Sequence, residues 1–264
     1  METEMNLPST HFTEIIESSK SNLIEQLIKL AKDFSLLKEE RDSNELELIR
    51  VHHRAMLKLA LVASHKDDDT GTHIVRVGYL AEYFCKLLNK SDELCLMIRL
   101  AAPMHDLGKV GIPDSILKKN GTLTPSEREV MNTHTLIGEK ILKDDIPVFN
   151  LASIISSSHH EKHDGTGYPR GLRGELIPFV GKIVAIVDFF DALCMDRCYR
   201  KAFTYEKTFN EIKDRAGTHF DPKLTDLFLE NYQNFKLLRE RIDKKKVTYE
   251  NILQFSALSF FDEN

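Results

Sequence analysis

The chain has no excess of basic residues: its 264 residues include 36 Lys and Arg against 41 Asp and Glu, a formal net charge of −5. A protein that wraps a nucleic-acid backbone needs such an excess, so nucleic acid is not an expected partner. Long apolar runs are missing too. IVAIVDFFDAL, residues 183–193, is too short and too interrupted by carboxylates to span a bilayer. METEMNLPST at the N-terminus lacks the basic-then-apolar pattern of a secretory signal, and the expectation is a cytoplasmic protein with no membrane association. Cysteine is sparse, and Cys85, Cys95, Cys194 and Cys198 form neither a C-x-x-C pair nor a framework, which points to reduced thiols. Cys194 and Cys198 stand four apart, a spacing that also suits zinc ligation, but buried structural cysteine is the plainer reading. Beyond His65 there is no sustained period-two alternation, which argues against a sheet and for a compact helical domain.

What the chain does have is enough apolar residues to bury a core, for one large domain or a domain with an appendage. Leu23, Leu27, Leu30, Phe34 and Leu37 recur at steps of four and three; after Arg41 and Asn44 the pattern resumes at Leu48, Val51 and Ala55. Mostly Glu, Lys, Asp and Ser lie between them, which leaves one apolar seam on a solvated helix. Residues 1–60 are therefore expected to form a long N-terminal helix that pairs two chains in a parallel coiled coil, with packing on its own domain as the alternative. Residues 61–264 are expected to form an all-α domain with C-terminal helices. Ser91 and Asp92 offer N-caps to a helix through Leu94, Ile98 and Ala101. TPSE at 124–127 is a capping box with Pro125 at the first helical position. IVAIV is β-branched enough for a strand, but the longer apolar stretch around it favours helix.

Histidines and carboxylates fall on the apolar faces of these helices. His73 continues the stripe of Val77, Leu80 and Phe84, and His105 that of Leu94, Ile98 and Ala101. His134 lies between Val130 and Ile137 on a stripe ending at Ile141, His159 follows Val148, Ala152 and Ile155, and Asp188 follows Val184. One such histidine is usually a satisfied core residue. Five inward titratable groups without compensation would cost several kcal/mol each, and a divalent cation offsets that by accepting their lone pairs. Imidazole and carboxylate without thiolate favour iron, manganese or another octahedral ion over structural zinc. His73, His105, Asp106, His134, His159, His160 and Asp188 exceed what one ion can use, so two ions are expected, with Asp106 as the bridge.

The motifs HDLGKVGIPD (105–114), MNTHTLIGEKIL (131–142), HHEKHDGTGYPRGLRGELIP (159–178) and VDFFDALCMDRCYRKA (187–202) together resemble the HD-GYP domain, over residues 65–229. That resemblance implies an all-helical HD phosphohydrolase that linearises cyclic di-GMP to pGpG, some members continuing to GMP and some acting on cyclic GMP-AMP. It assigns metal binding to His73, His105, Asp106, His134, His159, His160 and Asp188, with catalysis by Asp106 and by Lys109 near the reacting phosphate. Arg197 and Arg200 would hold the substrate phosphates. Tyr168 would lie in the GYP loop beside the cleft, a loop implicated in contacts with diguanylate cyclase domains.

The chain departs from that pattern at His163, where tryptophan is usual, at Cys198, where proline is usual, and at Asp69, where three-metal members carry glutamate. The shorter Asp69 disfavours a third ion. The expected reaction is metal-assisted hydrolysis of a phosphodiester without a protein nucleophile. A silent HD module that signals by shape and a nucleoside-triphosphate phosphohydrolase are the rival readings. The glycines of GTG, 165–167, read as turn residues rather than a phosphate cradle.

Overall fold

The computed structural model describes residues 71–196, 201–247, 252 and 254–261, together with positions 29, 32, 38, 40, 51, 58, 60 and 61. Asp69, Arg197, Cys198, Arg200 and, apart from Val51, the seam over 23–55 lie outside the described residues. The chain divides into two compact units, Met1–His52 and His53–Asn264, and the candidate site lies wholly in the second.

The helices of that second unit are α1 (Gly71–Leu87), α2 (Asp92–Ala101), α3 (Asp114–Leu117), α4 (Pro125–Asn132), α5 (His134–Leu142), α6 (Pro147–Ser156), α7 (Phe179–Leu193), α8 (Tyr205–Lys213), α9 (Pro222–Glu230) and α10 (Tyr232–Lys245). Short 3-10 turns cover Ala102–Met104, Leu107–Gly111, Gly174–Leu176 and Leu258–Phe260. Among the described residues no strand forms, only an isolated bridge between Ala216 and Phe220. No described helix is long and apolar enough to cross a membrane.

α1 is the central helix, buried continuously from His73 to Cys85 and packed against α2, α7 and α10. A helix enclosed on all sides is apolar on most of its faces, and the histidine and charged residues it buries, His73, Arg76 and Glu82, are each paired. α2 comes close to it at Gly78, where a Cβ would meet the Arg99 carbonyl oxygen at 2.7 Å. Ser91 caps α2 by accepting from the Leu94 amide at 3.3 Å, and Asp92 and Glu93 place negative charge at its positive end. The capping box at Thr124 and Glu127 forms as expected. IVAIV is helical within α7 and almost wholly buried; tertiary burial overrides its β-branched preference. Phe84, Phe190, Phe228 and Phe235 join α1, α7, α9 and α10 in one aromatic cluster, with ring centroids 4.3–5.8 Å apart. The chain end is tied back to α1: the Tyr79 hydroxyl donates to the Ile252 carbonyl at 2.8 Å, and Glu82 accepts from the Ala257 amide at 2.9 Å.

Two stripes differ in detail from the sequence expectation. Helix α2 stops at Ala101, so His105 follows a 3-10 turn rather than continuing an α-helical face. Thr133 separates α4 from α5, and Val130 and Ile141 are exposed; the buried face of α5 runs through His134, Thr135, Gly138 and Leu142.

Candidate metal centre

Five segments converge here. α1 supplies His73, the turns after α2 supply His105, Asp106 and Lys109, the first turn of α5 supplies His134, the turn after α6 supplies His159 and His160, and α7 supplies Asp188. Their donor atoms fall into two groups, Asp106 with His134, His159 and His160, and His73 with His105 and Asp188, each within 4.8 Å of one another. Asp106 joins the two. Its Oδ1 lies 3.2 Å from His134 Nε2 and 3.5 Å from His159 Nε2, while its Oδ2 lies 3.3 Å from His105 Nε2. Asp188 Oδ1 is 3.2 Å from His73 Nε2 and 3.7 Å from His105 Nε2.

The imidazoles are aimed by the backbone. Nδ1 of His105 donates to the Ala102 carbonyl at 2.9 Å and that of His134 to the Met131 carbonyl at 2.8 Å. Nδ1 of His159 shares the Ile155 and Ser156 carbonyls at 3.1 and 3.0 Å. A ring that donates from Nδ1 keeps its Nε2 lone pair for the opposite side. Nε2 of His105, His134 and His159, with Asp106 Oδ1, is buried and makes no hydrogen bond. Buried acceptors left unmatched are costly, and a cation accepting those lone pairs removes the cost, so the donor set fits a metal.

The electrostatics divide the rings: burial lowers His105, but Asp106 and Asp188 beside it outweigh that and raise it. Burial, with His159 and His134 beside it, holds the His160 ring well below the usual range and hence neutral; burial also lowers His159. Burial pushes the Asp106 carboxyl up, but Lys109 at 2.7 Å and His105 outweigh it and hold it well below the carboxylate range. The Asp188 carboxyl behaves likewise: burial pushes it up, but the His73 and His105 rings beside it outweigh that and hold it below the carboxylate range.

Tyr168 covers the His160 side, its ring centroid 4.8 Å from that of His160. Glu161, almost fully buried, holds the Tyr168 loop by accepting from the Arg170 amide at 2.7 Å and the Leu172 amide at 2.9 Å. Gly167 lets the loop fold back, since a Cβ there would meet the Lys162 nitrogen at 2.3 Å. His163, at the position of the usual tryptophan, lies 3.9 Å from Asp221, away from both groups.

Sequence reasoning missed Asp191 and Glu161. Asp191 is fully buried and accepts from His73 Nδ1 at 2.8 Å, so it aims that ring as the carbonyls aim the others. Its place three residues after Asp188, on the same helical face, was the available signal.

A family model described as HD domain matches residues 23–224. The chain is 41% identical over 172 residues to a cyclic di-GMP phosphodiesterase of Thermotoga maritima, covering 65% of this chain and 47% of that one. It is 38% identical over 195 residues to a 3'3'-cGAMP-specific phosphodiesterase of Vibrio cholerae, covering 74% of this chain and 37% of that one. The chain thus spans about half the length, or less, of these relatives. The crystal structure of a cyclic GMP-AMP specific phosphodiesterase from V. cholerae shares the fold, with a TM-score of 0.55 at 17% identity over 77% of this chain and 53% of that one. These likenesses bear out the HD-GYP resemblance of the motifs, and the match over three quarters of its length makes this chain a member of the HD domain family.

Proposed function

We propose that the chain is a metal-dependent phosphodiesterase that hydrolyses cyclic di-GMP to linear pGpG. The observation that carries this is Asp106, whose two oxygens face two separate groups of donor atoms. The names of the relatives supply the substrate class. In this reading His73, His105 and Asp188 would hold one divalent ion and His134, His159 and His160 the other, with Asp106 as a ligand that both groups could share. Iron or manganese suits this mixture of imidazole and carboxylate. Bound there, the ions supply Lewis acidity and an acidified water for attack on phosphorus. Lys109 places positive charge beside Asp106, where charge builds up on the phosphoryl oxygens. Tyr168 borders the cleft, and Arg197 and Arg200 hold the substrate phosphates. We take two ions rather than three, because Asp69 is one methylene shorter than the glutamate of three-metal members. Cyclic GMP-AMP is the second reading, favoured by the V. cholerae relative.

The test is an assay of protein purified without oxygen, with metal analysis, against cyclic di-GMP, cyclic GMP-AMP and a nucleoside triphosphate. Cyclic di-GMP turnover with two metals per chain is expected; turnover of the triphosphate alone would sink the reading. In the same assay Arg197→Ala should weaken substrate binding by about 2 kcal/mol with metals retained, as loss of one charge-assisted contact predicts.

We place the protein in the cytoplasm as a homodimer paired through the seam over 23–55, with the Tyr168 loop available to a diguanylate cyclase domain. Light scattering of a chain starting near Ala60 should report a monomer; a dimer there would move the interface to the HD domain.

A further inference from the structure

The family match ends at residue 224, yet the carboxylate behind His73 is held from beyond that point. Asp191 accepts four hydrogen bonds. His73 Nδ1 and Arg76 Nη2 reach its Oδ2 at 2.8 and 2.9 Å, and Arg76 Nε and Arg239 Nε reach its Oδ1 at 2.7 and 2.8 Å. Arg239 belongs to α10. It is locked in turn, with Nη2 donating to the Cys194 carbonyl at 3.0 Å and Nη1 to the Tyr205 hydroxyl at 3.3 Å. One turn further on, Asp243 accepts from Arg76 Nη1 at 2.8 Å. α10 therefore grips both Asp191, which touches the back of His73, and Arg76, which holds Asp191.

A carboxylate aims an imidazole only if it is itself fixed. Arg76 forks onto both oxygens of Asp191 from α1. Arg239 adds a second donor to Oδ1 from α10, so the carboxylate is tied to two helices rather than one. We propose that Arg239 is a positioning residue for the metal centre: acting through Asp191, it fixes the His73 ring with Nε2 toward Asp188 and His105, and so makes α10 part of the metal-binding machinery. This rests on the metal-centre reading and adds to it a control exerted from the C-terminal helix.

The experiment uses the metal-free full chain and its Arg239→Ala and Arg239→Lys variants, with two readouts: calorimetric titration with Mn2+ and nitrogen NMR of the His73 ring before any metal is added. Wild type should take up two equivalents and show His73 protonated on Nδ1. Arg239→Ala should keep one equivalent at wild-type affinity and bind the other about 10–100-fold more weakly, as lost outer partners of metal ligands do. Its His73 should show a mixture of tautomers, and Arg239→Lys should recover part of both signals.

Two equivalents at unchanged affinity and a single His73 tautomer in Arg239→Ala would overturn the proposal. Equal weakening of both equivalents would overturn it as well, because a general packing defect does not choose one group. If Arg239→Ala loses its helical circular dichroism, Arg239→Gln decides by the same two readouts. A wild type that takes up no metal would overturn the metal-centre reading instead, and the tautomer measurement on the metal-free protein then decides the positioning role by itself.

Discussion

Replacing His105 and Asp106 together by alanine is expected to abolish hydrolysis and strip metal from the protein. Asp106 is the residue whose two oxygens face both donor groups, 3.2 Å from His134 Nε2 on one side and 3.3 Å from His105 Nε2 on the other. Without it the first group keeps three imidazoles and no carboxylate. The second group, having also lost His105, keeps His73 and Asp188 alone. Loss of an outer hydrogen-bond partner already costs roughly 10–100-fold in metal affinity, and loss of a shared ligand costs more. Two cations would also face each other without the intervening negative charge. Metal analysis after gel filtration and the cyclic di-GMP assay check this together; full metal with full activity in the double variant would refute the assignment.

Gly108→Ala is expected to be nearly as severe, although Gly108 touches no substrate. A Cβ there would lie 1.8 Å from the His134 carbonyl oxygen, 2.8 Å from its carbonyl carbon and 2.5 Å from the Gly138 nitrogen. All three are backbone atoms of α5, so no side chain can swing aside. The turn carrying Asp106 and the helix carrying His134 must separate. Overpacking on this scale should lower unfolding free energy by about 3 kcal/mol or more. The same shift should weaken the metal group that spans the two segments. Denaturant unfolding and metal titration are the measurements, and a variant within about 1 kcal/mol of wild type would contradict the close approach.

His73 and Asp188 were legible because chemistry-bearing side chains interrupt apolar faces at helical spacing, whereas His105 was reached although its helix ends at Ala101 and a 3-10 turn intervenes. The stripe argument found His134 even though Val130 and Ile141, which supported it, are exposed. The chain breaks at Thr133 and restarts with a new rotation, which a continuous 3.6-residue count cannot register. Asp191, Arg76 and Arg239 were not legible as a unit. Asp191 is 115 residues from Arg76 and 48 from Arg239, and no local pattern encodes a charge pair at such separations. Glu161 stands beside His160 in a polar run, where only the fold shows that it serves two loop amides rather than solvent. For the segment 1–60 the heptad pattern stands as sequence evidence alone.

Three of the site's imidazoles hang from main-chain carbonyls one turn behind them. Aim is thereby written into the path of the chain, not into the identity of neighbouring side chains. For these three rings a change of neighbouring side chain that leaves the backbone route intact leaves the aim intact, whereas His73, held by Asp191, answers to side chains. The handles on the three are the small residues that set how closely the segments approach, and Gly138 is one: a Cβ there would strike the Ser156 hydroxyl that holds the His105 carbonyl.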